Sequence, residues 1–198
     1  MSRVVHPIEQ ESYAILRSRV DLSGLPPLTR AVTERVVHAS ADLDYVADLV
    51  CDEAGLAGGL AALRAGAPVV TDVAMVAAGI TRAGLDLVCP IAEPAAAALA
   101  REAGITRSAA AVRLAYDRVG PGAVWVVGCA PTALFELIDL DVRPALVVGL
   151  PVGFVGAAES KAALRASGLP AVSNVGEKGG SAVAAAALNA LLYLEESP

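Results

Sequence analysis

Two histidines, three cysteines, two methionines and one tryptophan are all that 198 residues hold of those types, and aromatic side chains make up 4%. Cys51, Cys89 and Cys129 stand far apart, their number is odd, and no CxxC pair exists. This pattern argues against a disulfide framework and a zinc site, and small buried thiols are the expected reading. Neither His6 nor His38 has another histidine or cysteine close by in the sequence, so no metal site is expected. No GxGxxG or GxxxxGK[ST] loop occurs, and nothing supports a Ser-His-Asp triad. A net charge of −6 argues against a nucleic-acid binder, although 15 Lys and Arg leave room for a local basic pocket. "MSRVVHPIEQES" has no apolar stretch of the signal-peptide kind, and "SAVAAAALNALLYL" is too short and Ala-rich to span a bilayer. The expectation is a reduced, cytoplasmic protein without membrane contact or cofactor.

What the chain does hold is aliphatic. Hydrophobic residues reach 56%, mostly Ala, Val and Leu, and the mean hydropathy is +0.59. That mixture fits close-packed helices on a buried sheet in a single domain over residues 1–198. "HPIEQESYAILRSRV" reads as a helix, with Pro7 near its start, acids in the first turn and bases in the last. "PLTRAVTERVVHAS" reads as a second, with Leu28, Val32 and Val36 four apart. "ADLDYVADLVC" reads as the start of a third, capped by Ser40 or Asp42. From residue 66 the rhythm changes. Short β-branched runs at 68–72, 86–90, 123–128, 145–150 and 170–175 alternate with helical runs near 72–80, 93–103, 107–118, 131–139, 157–167 and 180–194. Continuous apolar runs are what strands covered on both faces look like. The alternation implies right-handed crossovers. The expected fold is α/β, a three-layer sandwich with a five-stranded, mostly parallel sheet, preceded by N-terminal helices.

Ligands bind such sheets at the carboxyl ends of the strands. Three Gly-bearing turns there run straight into helices: "GCAPTALFEL", "GLPVGFVGAAESK" and "GEKGGSAVAAA". Each offers free N–H groups to a carboxylate or phosphate, and each is equally readable as a plain connector. Thr71 and Asp72 end the first of the strands after residue 66, Arg82 follows its crossover helix, and Arg107 and Ser108 open another helix. An arginine at a helix N-terminus gains nothing from the dipole, so Arg107 is read as meeting a ligand or a carboxylate partner, or as a solvated surface residue. Lys161 and Lys178 read as solvent-facing. His38 follows Glu34 by four residues and Arg35 by three, which makes all three neighbours on one helix face. Near a helix end it is either a proton donor or a half-buried structural histidine.

The segments "IEQESYAILR", "ERVVHASADLDY", "TDVAMVAAGITR", "GITRSAAAVRL", "APTALFEL", "GLPVGFVGAAESK" and "KGGSAVAAAALNALL" run in order over almost the whole chain. Together they resemble the precorrin-8X methylmutases of cobalamin synthesis, and "VVHAS" and "PVGFVGAAESK" are the most specific of them. The resemblance implies an isomerase that moves a methyl group from C11 to C12 of a corrinoid ring, with no cofactor and no metal, acting as a homodimer. It implies that His38 is the catalytic residue, acting at a ring nitrogen of the macrocycle. The corrinoid bears seven carboxylates, and arginine captures carboxylates in bidentate fashion. Ser12, Arg35, Thr71, Arg82, Arg107, Gly153, Lys178 and Ser181 are therefore the expected substrate-binding residues. Two departures stand out: Cys129 replaces the usual Asn of "GNAPTAL", and Glu177 stands where an arginine is usual. They keep open a second reading, a corrinoid-binding protein without turnover.

Overall fold

The computed structural model describes residues 6–194. The elements run α1 (Pro7–Arg19), α2 (Pro27–Ser40), α3 (Tyr45–Asp48), β1 (Leu49–Cys51), α4 (Glu53–Arg64), β2 (Val69–Thr71), α5 (Ala74–Gly79) and β3 (Leu87–Val88). A 3-10 turn at Pro90–Ala92 follows, then α6 (Pro94–Ala103), α7 (Arg107–Val119), β4 (Val124–Val127), α8 (Pro131–Asp139), β5 (Leu146–Gly149), α9 (Ala157–Ala166), β6 (Ala171–Asn174) and α10 (Ser181–Leu192). The sheet order is β1-β6-β5-β4-β2-β3. Its strands are parallel except β1, which pairs antiparallel to β6 with Leu49 opposite Asn174.

The three layers follow from alternation along the strands. Val69, Val124, Val126, Leu146, Val148 and Val172 point to one face, where α1, α2, α4, α5 and α10 cover them. Val70, Trp125, Val127, Val147 and Ala171 point to the other, under α7, α8 and α9. Each strand expected after residue 66 is present, shortened by a residue or more at its ends.

The expected five strands are six, and the expected third helix is a single turn. The helix reading of "ADLDYVADLVC" fails after Asp48, because Leu49–Cys51 extends along β6 as an edge strand. A three-residue strand carries too little periodicity to be seen in sequence. A second miss is α4, "EAGLAGGLAALR", whose glycines at 55, 58 and 59 argue against a helix. Packing overrides propensity. A Cβ on Gly59 would lie 2.6 Å from the Leu146 side chain, and one on Gly55 would lie 2.9 Å from Cβ of Pro170. Glycine lets α4 lie directly on the sheet. α4 also completes α2, whose N-terminus has no side-chain cap of its own. The Glu53 carboxylate accepts from Leu28 N (2.9 Å), Thr29 N (2.8 Å) and Thr29 Oγ1 (2.7 Å). Burial pushes this carboxyl up, but those donors outweigh it and hold it below the ordinary glutamate value.

α10 is buried continuously from Val183 to Leu192, as a helix apolar on all sides must be. Its small residues admit near backbone contact: a Cβ on Gly128 would lie 2.8 Å from Cβ of Ala184. Its one polar residue inside that run, Asn189, is satisfied by Thr81 N (3.2 Å) and Gly79 O (2.8 Å).

Candidate active site at the carboxyl edge of the sheet

α2 runs toward the carboxyl edge of the parallel strands and ends there. Val32, Thr33, Val36 and Val37 form its buried stripe, which leaves His38 half-buried at the border of that stripe. The helix stops at Ala41, whose φ of 54° is unusual for a residue with a Cβ. Ser40 ties this end by giving its hydroxyl to Val36 O (2.8 Å). A strained cap three residues past His38 holds the histidine at a sharp helix end.

The partners of His38 come from α1. Ser12 Oγ lies 2.8 Å from Nδ1, and the Tyr13 ring stacks on the imidazole at 4.8 Å between centroids and 16° between planes. The Arg17 guanidinium lies 5.6 Å from that same tyrosine ring. Glu34 and Arg35, the neighbours expected beside His38 on α2, also face α1 and find their partners there. Glu34 takes a two-bond pair from Arg17 (2.9 and 2.8 Å), and Arg35 Nη1 meets Glu9 at 2.5 Å and the Tyr13 hydroxyl at 3.3 Å. Arg35 is thus paired with Glu9. Its charge locks α1 onto α2.

The three Gly turns converge at this edge. Turn 128–130 is built on Asp72, which is 4% exposed. Its carboxylate accepts from Gly128 N (3.1 Å), Cys129 N (2.8 Å) and Ala130 N (2.8 Å). Burial pushes the Asp72 carboxyl up, and these three donors pull against it. The turns at 150–153 and 176–180 are joined by Gly153 N to Glu177 O (3.1 Å) and Gly180 N to Leu150 O (2.9 Å). Gly179 permits this approach, since a Cβ there would lie 2.4 Å from Leu150 O. Ser181 opens α10 beside Gly128, whose added Cβ would stand 3.0 Å from Cα of Ser181. Helices α8, α9 and α10 therefore all start here, with Phe154 and Val155 almost fully exposed between them (92% and 89%). Arg107, the first residue of α7, is exposed at the same edge but over the opposite layer from His38. Thr106, the cap of α7, gives its hydroxyl to Thr132 on α8 (2.8 Å).

Three more of the expected binding residues are already engaged, buried or placed elsewhere. Lys178 is not an open cation: its Nζ is held by Asp42 (2.7 Å) and Asp44 (2.5 Å), which raise its pKa above the ordinary lysine value. Thr71 is 1% exposed, with a buried hydroxyl lacking a hydrogen-bond partner among the described residues, because it ends β2 inside the core rather than beyond it. Arg82 lies at the other edge. The crossover after β2 carries it back to the amino ends of the strands, where it donates to Leu192 O and lines a groove with Gly66, Ala67 and Asp86. Ser12, Gly153 and Ser181 do sit at the carboxyl edge.

Sequence reasoning missed two contributors. Tyr13 lay unremarked inside "IEQESYAILR". Lys161, expected to face solvent, is fully buried. Its signal was present: Ala157, Ser160, Lys161 and Leu164 follow the spacing of a helix's inward face. Among the described residues no group of three metal-ligating side chains occurs, and no helix is long and apolar enough to cross a membrane.

The family model for precorrin-8X methylmutase matches residues 7–194. The chain is 45% identical over 194 residues to the precorrin-8X methylmutase of Pseudomonas aeruginosa, covering 93% of both chains. It is 42% identical over 196 residues to the cobalt-precorrin-8 methylmutase of Salmonella typhimurium, covering 94% of this chain and 93% of that one. The crystal structure of precorrin-8X methyl mutase from Thermus thermophilus superposes with a TM-score of 0.85 at 37% identity, covering 94% of this chain and 96% of that one.

Proposed function

The chain belongs to the precorrin-8X methylmutase family, and from that premise we propose how it performs the isomerisation. The substrate is precorrin-8X or its cobalt form, and the methyl group moves from C11 to C12. No atom is gained or lost. The protein's task is to hold the macrocycle and to supply a proton where it favours the migrating tautomer. His38 is the proton donor. Ser12 engages Nδ1 and the stacked Tyr13 fixes the ring plane, which together orient the imidazole for proton exchange with the substrate. The substrate carboxylates meet the Ser181 hydroxyl, Arg107 and the N–H groups that the Gly turns leave uncommitted, with Gly153 allowing the ligand a close approach.

The observation that carries this reading is the Ser12–His38–Tyr13 cluster at the sheet edge where three helix N-termini open. Cys129 costs little at its position, since what turn 128–130 needs of residue 129 is its backbone N–H to Asp72. Burial and the Asp72 charge push its thiol up, which makes it a poor nucleophile. Cytoplasmic location and homodimerisation complete the reading, with Phe154 and Val155 as exposed apolar residues a second copy would cover. Sedimentation of the purified chain tests the dimer. Catalysis is tested by adding substoichiometric protein to precorrin-8X and following the absorption spectrum. Full conversion to hydrogenobyrinic acid supports the enzyme; tight binding without conversion establishes a corrinoid-holding protein instead.

A further inference from the structure

Lys161 is 0% exposed, and among the described residues its hydrogen bonds go to two carbonyl oxygens rather than to a carboxylate. Its Nζ donates to Asn174 Oδ1 (3.0 Å) and to the backbone carbonyl of Lys178 (2.5 Å). Asn174 Nδ2 reaches the same carbonyl (2.9 Å) and Val175 O (3.1 Å). Arg165, one turn further along α9, donates to Ser173 Oγ (3.2 Å) and Asn174 O (2.9 Å). Residue 178 is therefore gripped from both sides. Its carbonyl points inward to a buried cation, and its side chain points outward to Asp42 and Asp44 in the loop after α2. The next residue is Gly179, pressed against Leu150 O and Pro151 O. Burying an ammonium is expensive even when it is hydrogen-bonded, and an apolar residue of the same length would pack there more cheaply. Stability does not explain this lysine.

We propose that Lys161 is a positioning residue for substrate binding: through the Lys178 carbonyl it sets the 176–180 turn in the shape that presents Ser181 to a corrinoid carboxylate. The inference rests on the isomerase reading of this edge. The substrate does not touch Lys161; the charge acts through the turn. Loss of that charge should weaken binding and leave the proton donor alone, because His38 is held from α1. Burial and Arg165 on its own helix push Lys161 down to about 8, while Glu177 from the turn and Asp48 from α3 pull it back up. The remaining charges nearby, Lys178 with Asp42 and Asp44, lie on the outer side and leave a net negative charge there. Affinity should therefore fall as pH rises through that value. Stability should move the other way. A lysine with a folded pKa below its unfolded 10.5 makes the folded state gain stability between about 8 and 10.5 as the charge is lost.

The test is absorbance titration with hydrogenobyrinic acid, together with steady-state turnover of precorrin-8X, on the parent and Lys161→Met. The variant should bind about tenfold more weakly with kcat within about threefold of the parent, the pattern of lost uniform binding. The parent's Kd should rise between pH 7 and pH 9 while that of the variant stays flat. A folded variant with parental Kd overturns the inference, and so does a fall in kcat with Kd unchanged. If Lys161→Met does not fold, a parental Kd that is flat from pH 7 to pH 9 overturns it. Parental conversion combined with any of these results leaves the isomerase reading standing; a parent that neither converts nor binds corrinoid removes both.

Discussion

The two edges of the sheet both carry an arginine, yet they are built differently. At the amino edge, Arg82 donates to a main-chain carbonyl and is surrounded by Leu63, Leu85, Leu191 and Leu192. That is how a helix C-terminus is closed onto a core. At the carboxyl edge, buried polar side chains serve the backbone: Asp72 gathers three N–H groups, and Lys161 and Asn174 share one carbonyl. Polar groups are buried at a cost unless something is gained from them. Here the gain is a set of Gly turns held open before three helix N-termini, with a histidine beside them. A groove shows where space is; the direction in which buried polar atoms point shows what the space is for.

The contrast can be broken by substitution, and the largest effect belongs to His38. His38→Ala should lower turnover by about 10²–10⁴-fold, the range for a positioned general acid, and leave corrinoid affinity near the parental value. Single-turnover absorbance gives the first quantity and equilibrium titration the second. Asp72→Ala comes next. It strands three backbone donors, each worth about 1–3 kcal/mol when left unmet, so urea unfolding should show a loss of about 3 kcal/mol or more with weakened corrinoid binding.

Glu53→Ala removes the cap of α2 and should cost about 1–2 kcal/mol at neutral pH. The folded pKa of Glu53 lies below its ordinary value of 4.5, so the stabilisation is complete above that pH and is lost as pH falls through the folded value. The gap between parent and variant should narrow in urea melts below about pH 4. Glu177→Arg should tighten corrinoid binding by about 1 kcal/mol, the scale of one charge-assisted hydrogen bond. Arg82→Ala should change corrinoid affinity least, by less than about 0.5 kcal/mol, the usual size for a residue outside the binding surface. A large loss of affinity in that variant would erase the difference between the edges.

Much of this was legible in the sequence. The strands after residue 66 announce themselves as continuous Val-rich runs because both faces of the sheet are covered. β1 does not, because an edge strand of three residues is decided by its partner β6. α4 was hidden by glycines whose purpose, contact with Leu146 and Pro170, is tertiary. His38 stood out through "VVHAS", but its partners did not. Local spacing pointed to Glu34 and Arg35, while Ser12 and Tyr13 are brought in by the packing of α1 on α2. Charge was the least legible property. Arg35 and Lys178 looked like carboxylate receptors and are matched by Glu9, Asp42 and Asp44, and Lys161 looked like a surface residue and is buried. Sequence shows which charges exist, and only the fold shows which of them cancel.

The claim that the carboxyl edge receives the substrate is tested most directly by amide hydrogen exchange with and without hydrogenobyrinic acid. The predicted result is protection of residues 128–130, 150–153 and 176–181 and of the end of α2, with no change at 64–67 and 82–86. Protection confined to the groove around Arg82, with the Gly turns exchanging as before, would contradict it.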